Sequence, residues 1–162
     1  MILVQRDLDA NKIKVAKELA QLPRLHCDDR QMKQVFYNLF QNAVQAMPRG
    51  GILTIRTYPV EKPDGLYAAA AISDTGGGIP LEVLHNIFNP FFSTKDYGTG
   101  LGLAIAQRIV SRHYGQIEVN NEIGKGVTFI VSLPVAKYCL VKEAGQGAVP
   151  ASVLRAPKGG RR

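Results

Sequence analysis

The sequence predicts an α+β domain in which helices cover one face of a mixed sheet. Three observations predict it: a long helical pattern with one apolar face, an apolar hairpin directly after it, and a second amphipathic helix followed by two more strand-like runs. Residues 12–19 (KIKVAKEL) alternate well enough for an edge strand. Asp28 followed by Gln31 has the spacing of a helix N-cap and its reciprocal partner. From there Met32, Val35, Phe36, Leu39, Phe40, Ala43 and Val44 recur in steps of three and four, which gives one apolar face over about 18 residues. Pro48, Gly50 and Gly51 stop that helix. Ile52 to Tyr58 and Leu66 to Ser73 flank PVEKPDG, whose Pro63, Asp64 and Gly65 supply turn chemistry for an antiparallel hairpin. A short helix is expected over Leu81 to Ile87. Residues 88–100 carry Pro and Gly without helical periodicity and read as a loop, and LGLAIAQRIVSRHYG reads as a helix starting near Leu101 and closed by Gly115. QIEVNNEIGKGVTFIVSLP gives two strands around Glu122 to Gly126, ended by Pro134. No internal repeat is visible.

A chain of 162 residues has room for one ordinary domain. With 46% apolar and 20% charged residues it is neither disordered nor fibrous overall. No apolar run approaches a bilayer's thickness, and the start MILVQRDLD lacks the basic-then-apolar pattern of an export signal. Cys27 and Cys139 belong to no CxxC or Cys/His cluster, which points away from a disulfide framework or zinc site and towards a reducing, cytoplasmic setting. The net charge of +7 would raise nucleic acid as a partner if it formed a patch. More than half of it instead comes from Lys142, Arg155, Lys158, Arg161 and Arg162, opposed by Glu143 alone, in a Gly/Ala/Pro-rich stretch without periodicity. The expected organisation is therefore a folded domain over 1–137 and a flexible basic tail over 138–162, with no nucleic-acid partner.

Three patterns are able to carry chemistry. Asn38, Asn42 and Gln45 fall along one stripe of the long helix, where amide oxygens suit a hard divalent cation that also bridges phosphates, although a plain polar helix face would look the same. Asp74 ends an apolar strand and runs straight into Gly76, Gly77 and Gly78. A carboxylate beside backbone without Cβ atoms can accept from an exocyclic amine while a flat ring lies on the glycines, which suits adenine; an ordinary Asp–Gly turn is the alternative. Gly98, Gly100 and Gly102 lead into the helix near Leu101, so backbone N–H groups at a positive helix end form a potential phosphate site or else a hinge. Neither GxxxxGK[ST] nor GxGxxG spacing is present.

Taken in order, NLFQNAVQA, DTGGGIP, FNPFFSTK, GTGLGLAI and GKGVTF resemble the N box, first glycine motif, phenylalanine box, second glycine motif and third glycine motif of the ATP-binding catalytic domain of bacterial sensor histidine kinases. That domain belongs to the gyrase, chaperone, histidine kinase and mismatch-repair superfamily. The resemblance covers roughly Ile13 to Leu133, and QNAVQAMPRGG with PFFSTKDYGTGLGLAI is most similar to the nitrogen-regulator type.

The resemblance implies a two-layer α/β sandwich, the Bergerat ATP-binding fold, with ATP and Mg²⁺ held between the helices and a lid over about residues 79–99. It implies Asn42 as the metal-holding amide, Asp74 as the adenine acceptor with Gly76 and Gly78 beside it, and Gly98, Gly100, Leu101, Gly102 and Leu103 as the phosphate cradle. Asn38 and Lys95 then stand as further catalytic contacts to phosphate or metal. Two positions depart from the pattern: Gln45 stands where many relatives have a cation, and Val127 replaces a Thr, leaving Thr128 as the hydroxyl expected to face adenine. Relatives that hydrolyse ATP or phosphorylate serine characteristically place a Glu at the position of Asn38, and an amide cannot take a proton there. This favours a histidine kinase over a gyrase-like ATPase or an anti-sigma serine kinase. None of His26, His85 and His113 has the setting of a phosphoacceptor; His113 reads as a cation at a helix C-terminus. The expected partners are a histidine-bearing dimerisation domain and a response regulator, with the isolated domain a monomer.

Overall fold

The computed structural model describes residues 2–94 and 98–135. Lys95 and the basic tail lie outside the described residues. The elements are α1 (Ile2–Ala10), β1 (Ile13–Leu19), α2 (Asp29–Ala46), β2 (Gly51–Lys62), β3 (Gly65–Asp74), α3 (Leu81–Leu84), α4 (Gly102–Arg112), β4 (Gln116–Glu122) and β5 (Gly126–Pro134). The strands form one sheet in the order β1-β2-β3-β5-β4, parallel between β1 and β2 and antiparallel elsewhere. This is the expected mixed α+β sheet, with β1 at an edge.

The core lies between the sheet and the helices. Val35, Leu39 and Ala43 of α2 and Ala106 and Val110 of α4 pack with Leu53, Ile72, Phe129 and Val131 from the sheet. α2 begins as its sequence requires: Asp28 accepts from the N–H groups of Arg30 and Gln31, and Gln31 Nε2 returns a bond to Asp28 Oδ2. The Asp28 N–H itself goes elsewhere, to His113 Nε2 at 3.1 Å. His113 Nδ1 lies 2.8 Å from the Ile109 carbonyl, so the ring donates at one nitrogen and accepts at the other. The ring thus joins the end of α4 to the start of α2.

Three elements differ from their sequence patterns. α1 was not expected; among its residues whose side chains are described, Val4 and Leu8, one turn apart, mark the buried face. β2 runs on through Pro59 to Lys62, and a two-residue turn replaces the expected seven-residue loop. Pro59 is tolerated because β1 ends opposite Thr57, so β2 is an edge beyond that point. α3 stops at Leu84, with turns rather than helix up to Ile87.

Candidate functional site

A cavity of about 490 Å³ opens between α2, the segment after β3 and the start of α4. Asn38, Asn42, Asp74, Gly78, Gly98, Gly100, Gly102 and Leu103 all line it, so most of the residues singled out from separate motifs meet in one place. Ile79, Val83, Ile87, Val127 and Phe129 add an apolar wall.

Asp74 sits at the last position of β3 and is buried. Its Oδ1 accepts from Gly76 N–H at 2.9 Å and from Val127 N–H at 3.4 Å, so the glycine turn and the start of β5 orient the carboxylate. Gly126 makes this approach possible, because a Cβ there would collide with the Asp74 carbonyl oxygen. Gly76 serves packing: a Cβ there would lie 2.7 Å from the Ala46 carbonyl, and the residue is not part of the cavity lining.

Asn42 differs from every other buried polar group. Its Nδ2 has no hydrogen-bond partner, the sole such buried side-chain atom among the described residues. An orphaned amide is costly unless a ligand completes it. Among the described residues no group of three His, Cys, Asp or Glu gathers to hold a metal. An unpaired N–H donor calls for an acceptor such as a phosphate oxygen, and the Oδ1 of the same amide is the atom that suits a hard cation which fills its remaining positions from water and phosphate, as Mg²⁺ does.

Asn38 is committed. Its Nδ2 donates to the Gly102 carbonyl at 2.9 Å and its Oδ1 accepts from Gln34 Nε2 at 3.0 Å. Although it borders the cavity, both ends of its amide tie α2 to the first turn of α4. With the His113–Asp28 contact at the other end, the two helices run antiparallel and are fastened twice. The N-cap of α4 is Leu101, which provides no side-chain cap, so the first turn of α4 presents N–H groups of the kind that suit an anion. Gly100 at φ +65 allows the loop to turn into this helix; a Cβ would strike the backbone of Phe91 and Phe92.

Thr128 is a correction. Neighbouring strand residues face opposite ways, so Val127 and Phe129 point into the cavity while Thr128 turns to the other face and bonds Ser73 Oγ at 2.8 Å. Its hydroxyl cannot take the place of a Thr at 127. The phenylalanine motif is split: Phe88 packs on the core, Phe92 lines the cavity, and Phe91, at φ +66, is 78% exposed. Sequence reasoning also missed Gln41, which lines the cavity and donates to Asp7 Oδ2 of α1 at 2.9 Å, and Asn121, whose signal was a polar residue in the inward register of β4.

Comparison with known proteins agrees with this geometry. Residues 27–137 match the family described as histidine kinase-, DNA gyrase B-, and HSP90-like ATPase. The chain belongs to that family. Sporulation kinase C of Bacillus subtilis (strain 168) is 44% identical over 108 residues, covering 67% of this chain and 24% of that protein. Sensor histidine kinase ZraS of Escherichia coli (strain K12) is 37% identical over 134 residues, covering 82% of this chain and 28% of that protein. This chain thus spans about a quarter of the length of these relatives. Among solved structures, the nucleotide-free catalytic domain of histidine kinase ThkA superposes with a TM-score of 0.70 at 32% identity, over 82% of this chain and 86% of that one. Full-length ShkA in complex with AMPPNP gives a TM-score of 0.68 at 28% identity, over 82% and 28% of the two chains.

Proposed function

We propose that this chain is the catalytic domain of a two-component sensor histidine kinase, which binds Mg–ATP and donates its γ-phosphoryl group to a histidine on a separate dimerisation domain. The phosphoryl group then passes to an aspartate of a response regulator. The observation that carries the reading is the orphaned amide of Asn42, set in one cavity with the oriented carboxylate of Asp74 and the uncapped start of α4. Asp74 accepts from the adenine amine, the Gly100–Leu103 backbone receives phosphate oxygens, and Asn42 would donate from its unpaired Nδ2 to a phosphate oxygen while its Oδ1 would hold the cation. The bound magnesium supplies charge neutralisation between phosphates. Transfer breaks the bond between the γ-phosphorus and its bridging oxygen, forms a nitrogen–phosphorus bond to the acceptor imidazole, and releases ADP; positioning and electrostatics do most of the work. Asn38 supports transfer to a nitrogen nucleophile over hydrolysis, because an amide with both ends engaged offers no base to activate water. ATP and the regulator place the reaction in the cytoplasm. Among the described residues no helix is long and apolar enough to cross a membrane.

Calorimetry on Asn42→Ala tests the assignment. Metal-dependent ATP binding is expected to fall by at least tenfold while the domain stays folded, and an unchanged affinity with unchanged Mg²⁺ dependence refutes it. Adding a histidine-bearing helical hairpin with labelled ATP then tests transfer, with an acid-labile, base-stable product expected.

A further inference from the structure

β4 alternates with Ile117 and Val119 partly buried towards the helices and Gln116, Glu118, Asn120 and Glu122 exposed. In that register Asn121 faces inward, where an apolar residue is the ordinary choice. A polar side chain in such a position must find partners, and Asn121 finds both on one residue. Its Oδ1 accepts from the Ile79 N–H at 2.8 Å and its Nδ2 donates to the Ile79 carbonyl at 2.8 Å. The amide thus replaces a neighbouring strand for a residue that belongs to none. A third bond, Gly124 N–H to the Gly77 carbonyl at 2.9 Å, joins the same two segments. Gly78 between them has φ +77 and lies so close to the β4–β5 turn that a Cβ would sit 2.8 Å from the Glu122 carbonyl. Gly78 and Ile79 both line the cavity.

We infer that Asn121 is a positioning residue: it pins the Gly78–Ile79 wall of the cavity to the β4–β5 hairpin, fixes the surface on which the base rests, and places the first point of possible movement after Ile79. Asn121 itself lies outside every glycine-rich motif and acts through the backbone of Ile79 in DTGGGIP. Its effect on ligand rests on the nucleotide reading above; the pin itself does not.

The test uses Asn121→Leu, which keeps the volume, suits the inward register and removes both bonds, and Asn121→Asp, which keeps an acceptor for the Ile79 N–H but loses the donor. Hydrogen exchange without nucleotide is expected to show lost protection at Ile79 in Asn121→Leu and a partial loss in Asn121→Asp, with amides of β3 and β5 unchanged. Adenosine and ATP are each expected to bind about tenfold more weakly to Asn121→Leu by the same factor, the scale of an unmade buried hydrogen bond. A general loss of stability would instead expose all amides, and a defect confined to ATP would place the effect at the phosphates; either result overturns the inference. So does wild-type protection at Ile79 or wild-type affinity for both ligands. If Asn121→Leu does not fold, Asn121→Asp decides by the same two readouts. If the wild-type protein binds neither adenosine nor ATP, the nucleotide reading has failed, and the exchange pattern still decides whether Asn121 holds Ile79.

Discussion

Replacing Asn38 by Asp changes one atom group and reverses one interaction. The Nδ2 that donates to the Gly102 carbonyl at 2.9 Å becomes an oxygen, so two acceptors face each other in a site only 9% exposed. The Gln34 amide still donates to the other oxygen. Leaving a buried carbonyl opposed rather than paired costs about 1–3 kcal/mol, and a partly buried charge adds to it, so a loss of about 3 kcal/mol is expected at pH 8. Asn38→Leu, which removes the hydrogen bonds without installing repulsion, should lose only about 1 kcal/mol. The introduced carboxyl is also pushed to a raised pKa by burial and by the facing carbonyl. When protonated it donates to Gly102 as the amide did. The folded state then holds a proton that the unfolded state has released, so the deficit relative to wild type should shrink as pH falls from 8 towards the ordinary carboxylate range. It should grow on the way back up until the folded-state pKa is passed, by about 1.4 kcal/mol per pH unit where only the folded form is protonated. Urea denaturation of the three proteins across that pH range measures it. A variant as stable as wild type at pH 8, with tighter Mg²⁺ binding, would show that Asn38 points at a ligand and that its bond to Gly102 is incidental.

Gly100→Ala should destabilise the domain by about 2 kcal/mol or more, since it puts a side chain at φ +65 into the backbone of Phe91 and Phe92; thermal unfolding checks this. Thr128→Val should leave nucleotide affinity within about twofold by calorimetry, as its hydroxyl is bonded to Ser73 on the far face of the sheet. Asp28 is held below the usual carboxylate range by its bonds from Gln31 and Arg30. That depressed folded-state pKa means its contribution is complete above the ordinary Asp value and is lost as pH falls through the folded value, so the melting-temperature gap between wild type and Asp28→Ala should close in acid. A gap that persists undiminished at pH 2 would show that the cap does not depend on the charge.

What could be read from the sequence followed the strength of each local signal. α2 was legible because eighteen residues carry one unbroken apolar face and a cap whose partners lie within three residues of it. Asp74, Asn42 and the glycines before α4 were placed correctly near one another only as a set, since no single motif exceeds an ordinary turn. α1 was illegible because Val4 and Leu8, the buried pair among its described side chains, are a single helical step apart and define no period. The role of Asn38 depends on Gly102, which lies 64 residues away, and no local pattern reports such a partner. Thr128 was misplaced by treating adjacent strand positions as interchangeable, although the two-residue alternation forbids it. The same alternation marks Asn121, where a polar residue interrupts an inward-facing row.

The order of the sheet has a consequence for solubility. Its two outermost strands, β1 and β4, are seven residues each, shorter than the nine to twelve of the strands between them. An open edge offers unpaired backbone groups to any other chain, and exposed charge is the usual defence. β1 exposes Lys14, Lys17 and Glu18, and β4 exposes Glu118 and Glu122. Another strand that pairs with either edge must strip water from these charged side chains, which an apolar edge would not demand. Among the described residues, both flanks of the sheet thus carry charged side chains where an apolar row would invite another strand.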